Sequence, residues 1–201
     1  MHSYESITNK IANAKALDFG TILSDVMELF KKVWLKGFLT VLLVIICAFV
    51  IGFVFGLMGL SSNTFVLGEE LSYEWFASYY STNLLYTLPQ TILVSTFTIG
   101  FVGGFYRMCK DFMVDGTDTN DYFYFFQNGY FSKLFMLGII HGVIASLAQF
   151  LFVIPYIYAF VPLSFFTAVF AFNPDFSETE IVKASFAIGN KKWLIAFGTI
   201  I

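Results

Sequence analysis

Charge is scarce in this chain. Only 12% of its 201 residues are Asp, Glu, Lys or Arg, about half of the ~25% usual in a globular chain. A soluble domain could not cover the accompanying hydrophobic residues, 58% of the chain, with aromatic residues alone making up 20% of it. Basic residues are missing altogether from one connection: Gly59 to Thr87 has no Lys or Arg and carries Glu69, Glu70 and Glu74. Histidine is limited to His2 and His141, which excludes the usual all-histidine zinc or iron centre. The two cysteines, Cys47 in an apolar run and Cys109 in an expected inside loop, belong to different levels, so no disulfide is expected. A GxSxG elbow, a P-loop and a dinucleotide fingerprint are all absent, and no cofactor is predicted. The net charge of -3, with no basic face away from the apolar runs, argues against a nucleic-acid partner. Met1 to Asp18 lacks the build of a secretory signal, and the first apolar run is expected to act as an uncleaved insertion signal.

What the chain does have is long apolar runs with basic ends. The spacing predicts spans at 38–60, 88–106, 134–153 and 156–172, with the start of another at 193. One threading puts Lys31, Lys32, Lys36, Arg107, Lys110, Lys133, Lys183, Lys191 and Lys192 on a single side. Cytoplasmic enrichment of basic residues then makes that side the inside, with the N-terminus cytoplasmic, in a bacterial inner membrane. The expected inner-interface anchors are Lys31, Lys32, Trp34, Arg107, Lys110, Lys191, Lys192 and Trp193. The fold class is all-α: a polytopic transmembrane helix bundle with interfacial amphipathic helices, forming one integral membrane domain over 1–201. The run after Trp193 stops at Ile201, near mid-bilayer, and predicts that the sequence is a fragment of a longer protein.

Between the spans, Asp18 to Trp34 reads as a surface helix, with Ile22, Val26, Leu29, Phe30 and Val33 at helical spacing, Asp18 as cap and Glu28 paired with Lys32. Leu71 to Tyr80, with Trp75, Phe76, Tyr79 and Tyr80, predicts a short aromatic helix at the outer interface. Asp115, Gly116, Asp118, Asn120 and Asp121 lack the order of a calcium loop and predict a solvated turn, with Asp121 capping an aromatic helix. Pro155 marks the hairpin between the third and fourth spans, and Pro162 predicts a kink in the fourth. Pro174 to Asn190 reads as an inside segment whose second half, with Ile181, Ala184, Phe186 and Ile188, is amphipathic. Gly52 and Gly56, and Gly100, Gly103 and Gly104, are the expected helix-packing positions.

Two stretches share a layout of surface helix, Lys-Lys pair, Trp and span: Ile22 to Trp34, and Ile181 to Trp193. Asp121 to Lys133 is a looser third copy, and all would be parallel repeats. The stretch from Asp18 to Lys32, the Asp121-Tyr122-Phe123 start, the Ile154-Pro155-Tyr156 break and the Ala184-Ser185-Phe186 to Lys192-Trp193 run resemble a loose group of bacterial polytopic proteins. That group includes the membrane domain attached to some glycerophosphodiester phosphodiesterases. The resemblance implies a bundle of roughly six spans and transfers no catalytic residue.

Polar side chains within spans are the pointers to function. His141 and Gln149, about two turns apart in the third span, form the one intramembrane polar site expected; Gln90, Thr96 and Thr98 lie in the second. A neutral histidine bonded across helices serves structure alone. The expected partners are membrane lipids, with a second copy or another membrane protein as further candidates. The leading expectation is a non-enzymatic scaffold, anchor or lipid- or partner-interacting bundle. A transporter or channel subunit for a small solute, and the membrane module of a lipid-related enzyme, remain as alternatives.

Overall fold

The computed structural model describes residues 4–13, 19–60, 73–127, 129–150 and 153–200. Among them there is no strand. Seven α-helices follow in order: α1 (Tyr4–Ala12), α2 (Phe19–Leu57), α3 (Tyr73–Lys110), α4 (Phe131–Phe150), α5 (Val153–Phe172), α6 (Glu178–Lys191) and α7 (Trp193–Ile200). Helices α2 to α5 each contain a segment long and apolar enough to cross a membrane, and the chain is an all-α, multi-pass membrane bundle.

The sequence expectation of a surface helix followed by a separate span is corrected: α2 is one helix of 39 residues. Nothing between Phe19 and Phe38 breaks it. That stretch holds no proline, its two glycines, Gly20 and Gly37, stand next to its ends, and Glu28 binds Lys32 at 3.1 Å one turn on. At 1.5 Å per residue α2 is about 58 Å long, nearly twice the ~30 Å of hydrocarbon. The expected cap Asp18 lies outside the described residues. The short outer aromatic helix is corrected likewise, because α3 runs unbroken from Tyr73 through Pro89 to Lys110.

Neighbouring helices pack antiparallel. Gly52 meets Gln90 and Gly37 meets Phe105 between α2 and α3; Gly138 meets Thr96 and Gly142 meets Ile92 between α3 and α4. The α4–α5 connection falls at residues 151 and 152, outside the described set. Pro155 sits in the first turn of α5, where its missing N–H leaves no hydrogen bond unmade. Pro162 lies inside α5. The core gathers Ile99, Leu134, Leu137, Phe166, Phe170 and Ile181 with Phe125 from the α3–α4 connection.

That connection holds a π-turn at Asp111–Asp115, a left-handed Gly116 and a 3-10 turn at Tyr124–Phe126. Asp121 caps no helix: Phe123 is the cap position of a three-residue turn and no side chain bonds there. The aromatic segment forms no surface helix: Phe125 is fully buried in the bundle and Phe126 packs against the core, whereas Phe123 is exposed. Among the described residues no cluster of His, Cys, Asp or Glu has the makings of a metal site. After α5, Ser177 and Glu180 form a capping box that starts α6, with Ser177 N donating to Glu180 Oε2 at 2.8 Å.

Candidate functional site

Ser95 of α3 and His141 of α4 meet across the helix interface, Oγ to Nδ1 at 3.1 Å. They come together because glycine lets the two backbones approach. A Cβ on Gly138 would fall 1.9 Å from Thr96 Oγ1 and 2.9 Å from its Cα, and one on Gly142 would fall 2.9 Å from Ile92 Cγ1. Gly138 and Gly142 are four apart and flank His141, so this spacing is the close helix contact of the bundle. Sequence reading missed it, although the signal, a GxxxG around a histidine, is in the sequence. Thr96 turns its hydroxyl back onto the Ile92 carbonyl at 2.8 Å. The His141 ring stands edge-on to Phe166 of α5 at 5.8 Å. The pair has one hydrogen bond in an apolar surround, with the proton on either the hydroxyl or Nδ1 according to the imidazole tautomer. The side chain of Gln149, the other expected member of the site, lies outside the described residues.

The glycines singled out from sequence divide. Gly52 is 3.4 Å, at its would-be Cβ, from Gln90 Nε2, whereas Gly56 has nothing of the chain within 4 Å. Gly100, Gly103 and Gly104 receive the aromatic connection, at Phe126, Phe125 and the Tyr122 carbonyl respectively, and the first two also face other helices: Gly100 meets Leu134 of α4 at 3.0 Å and Gly103 meets Thr167 of α5 at 3.8 Å from the would-be Cβ.

The same connection gathers the basic residues at one end of the bundle. Lys36 pairs with Asp118 and donates to the Thr119 carbonyl at 2.6 Å. The Arg107 guanidinium lies 3.3 Å from the Tyr124 ring centroid and 3.8 Å from Asp111. Lys133 donates to the Pro174 carbonyl at 2.7 Å. Burial pushes the Tyr122 phenol up, against the opposing pull of Lys36; burial and the adjoining Tyr124 do the same to Tyr130. Lys31 and Trp34 are exposed on α2. Lys110 borders an apolar groove of about 440 Å³ between α2 and α3, walled by Val26, Phe30, Val33, Phe105, Met113 and Phe172 among others.

Lys191, Lys192 and Trp193, also expected as inner anchors, lie at the end of α6 and the start of α7, away from Lys36, Arg107 and Lys133. Helix α6 runs back along α5. Gly189 lies against Pro162, Asn190 Oδ1 accepts from Tyr158 OH at 2.6 Å, and Trp193 Nε1 donates to the Tyr158 carbonyl at 3.2 Å. The face it buries is Ile181 with the small residues Ala184, Ser185 and Gly189, which lets α6 lie close against α5. Cys47 and Cys109 are free thiols. Comparison with protein-family models, with curated proteins and with solved structures finds no match.

Proposed function

We propose that this chain is a non-catalytic membrane bundle that anchors or scaffolds, associating with lipid or a partner protein through α2. One observation carries the reading. Only 6% of the most apolar window of α2 is buried within the bundle, against 50% for α3 and for α5. Phe38, Val41, Ile45, Phe49 and Phe53 are exposed along it, more apolar surface than packing on α3 uses. The groove beside Lys110 continues this surface at the basic end. The proposal includes a bacterial inner membrane with the basic end in the cytoplasm, supported by the asymmetry of Lys and Arg. It also includes kinship with the phosphodiesterase-attached membrane domains, supported by sequence pattern alone.

The test is purification from native membranes followed by reconstitution. Lipid or a partner is expected to stay with α2, and cross-links from a photoreactive group at Phe49 should report it. Saturable solute flux through vesicles holding the purified protein alone would overturn the reading. For orientation, a cysteine at Asp118 should resist a membrane-impermeant thiol reagent in intact cells. A second reading, a transporter or channel subunit for a small solute, is favoured by one further observation: α6 carries Lys191 and Lys192 well away from the basic end.

A further inference from the structure

We propose that the first half of α2, residues 19–35, is a docking surface for a second copy of this chain, which pairs with it in parallel beyond the end of the bundle. The proposal rests on the reading of α2 as the association surface and names its partner.

The first argument is level. Helices α4 and α5 have 20 residues each, about 30 Å at 1.5 Å per residue, which is the thickness of hydrocarbon. Counting antiparallel from Thr96–Gly138 and Ile92–Gly142 sets Phe131, the first residue of α4, opposite Gly103. Counting from Phe105–Gly37 and Gln90–Gly52 sets Gly103 opposite Leu39. Phe172, the last residue of α5, stacks on Tyr106 at the same end. The four-helix level therefore ends near Leu39, just after Lys36, the last charged residue of α2. Residues 19–35 run on past it for about 25 Å, well beyond the roughly 6 Å of headgroups on one side of a bilayer. Lipid covers the exposed side chains from Phe38 onward and does not reach those before Lys31. Nor can this arm lie down on the membrane surface. It has no break, and the far end of α3 braces it: Lys36 pairs with Asp118, Lys32 Nζ is 6.0 Å from the Phe112 ring centroid, and Val33 is buried. Helix α1 does not cover it either, since α1 lies on α6.

The second argument is pattern. Leu23, Met27, Phe30 and Trp34 follow one another by four, three and four residues, the spacing of a coiled-coil seam. They are 51%, 53%, 59% and 53% exposed. At 3.6 residues per turn, Asp25, Glu28 and Lys32 fall on the opposite face, so a helix seated on the seam desolvates no charge. Copies inserted into one membrane in one orientation present their arms in the same direction. Two seams then meet parallel and in register, related by a two-fold axis along the membrane normal, which is the commonest way for identical chains to associate.

The third argument is area. Half-exposed Phe19, Phe30 and Trp34 offer about 100 Å² each, from the 150–250 Å² that an aromatic side chain buries in full. With Leu23, Val26 and Met27 the arm offers about 500 Å² per copy, so a pair reaches the roughly 1,000 Å² that a specific interface needs. Phe30 belongs both to the seam and to the wall of the groove between α2 and α3, so a partner helix on the seam also closes the mouth of that groove.

The experiment is a cysteine scan of the full chain, freed of Cys47 and Cys109 and held at low density in native membranes. Leu23→Cys, Met27→Cys, Phe30→Cys and Trp34→Cys, made singly, should each give a disulfide-linked dimer on mild oxidation. Asp25→Cys, Glu28→Cys and Lys32→Cys, on the opposite face, should not. Equal linkage on both faces, or none along the seam, overturns the proposal. The strength of the pair is read by energy transfer between labelled copies as lipid vesicles are diluted with more lipid. Met27→Ala with Trp34→Ala, neither of which walls the groove, should weaken association about a hundredfold; unchanged association overturns the proposal. Should that variant not fold, the scan decides, because each single cysteine leaves the rest of the arm in place. A photoreactive group at Phe30 should capture a chain of the same mass, and capture of lipid or of a different protein in its place overturns the pairing. Such a result leaves α2 as an association surface, so the pairing fails alone, whereas saturable solute flux overturns the anchoring reading itself.

Discussion

Gly189 of α6 lies so close to Pro162 of α5 that a Cβ on the glycine would stand 2.8 Å from the proline Cα and 3.0 Å from its nitrogen. Both partners are backbone or ring atoms that cannot swing aside. A proline inside a helix leaves the carbonyl four residues earlier without its usual donor. Here that carbonyl belongs to Tyr158, and it accepts the Trp193 indole N–H at 3.2 Å. The α6–α7 junction thus supplies the hydrogen bond that Pro162 removes, and Gly189 gives it room to do so.

Gly189→Ala should therefore strain both helices at once. The expected cost is about 1–3 kcal/mol, the usual range for overpacking, and thermal unfolding of the detergent-solubilised protein would read it. Trp193→Phe removes the indole donor but keeps an aromatic ring, so it should destabilise less, by about 1 kcal/mol for the lost hydrogen bond, leaving the Tyr158 carbonyl without that donor. An unaffected Gly189→Ala protein would mean that α6 does not pack on α5 in the membrane.

The two GxxxG pairs should behave oppositely. Gly138→Ala and Gly142→Ala push against the Thr96 and Ile92 backbones and should each cost about 1–3 kcal/mol. Gly56 has open space at its Cβ position, so Gly56→Ala should be neutral or, through helix propensity, stabilising by up to about 1 kcal/mol. Urea or heat denaturation of the three variants compares them directly. A destabilised Gly56→Ala variant, with weakened self-association on dilution, would instead point to a second copy on that face of α2.

Ser95→Ala tests whether the serine–histidine contact does more than join α3 to α4. Interhelical hydrogen bonds in membrane bundles average about 0.6 kcal/mol, and a loss of that order is the expected result. His141→Ala should cost more, because it also removes the ring packed on Phe166. If an activity becomes assayable and Ser95→Ala abolishes it without loss of stability, the contact is a reacting pair and the non-catalytic reading falls.

How much of this was legible in the sequence follows from what each signal depends on. Apolar runs of about twenty residues set α2 to α5, because hydrocarbon thickness imposes that length whatever the neighbours are. The boundaries failed where nothing local breaks a helix, as from Phe19 through Phe38, and where α3 continues through Pro89 in spite of it. Glycine roles were harder. Gly52, Gly56, Gly138 and Gly142 carry the same spacing, and only the partner helix distinguishes a packed glycine from one facing outward. The basic residues divide between two places in the bundle. Lys36 and Arg107 gather at the end where the chain meets Asp118 and Asp111, but Lys191 and Lys192 ride on a helix that turns back along its predecessor. That turn is decided by Ala184, Ser185 and Gly189 fitting α5, a property of two helices together.

The start of α6 gives a pH prediction with a definite sign. The Ser177 backbone N–H and hydroxyl both bind Glu180 Oε2, each at 2.8 Å, and these bonds hold the Glu180 carboxyl below its ordinary range. A carboxyl whose pKa is lower in the folded state contributes stability that is fully present above the unfolded value of 4.5. That contribution is lost as the pH falls through the lowered folded value. Amide exchange in the first turn of α6, corrected for intrinsic rates, should therefore speed up in acid, while the middle of α6, buried at Ile181, Ala184 and Ser185, stays protected. Glu180→Gln keeps an oxygen that can accept from Ser177 N–H but cannot titrate, so its first turn should exchange at one corrected rate across the same range. Ser177→Ala removes the hydroxyl partner, returns the Glu180 pKa toward its ordinary value and should shift the acid transition upward. If Glu180→Gln shows the same acid-induced opening as the native chain, another group controls this end of α6, and Asp175, two residues before the cap in the same connection, is the next to substitute.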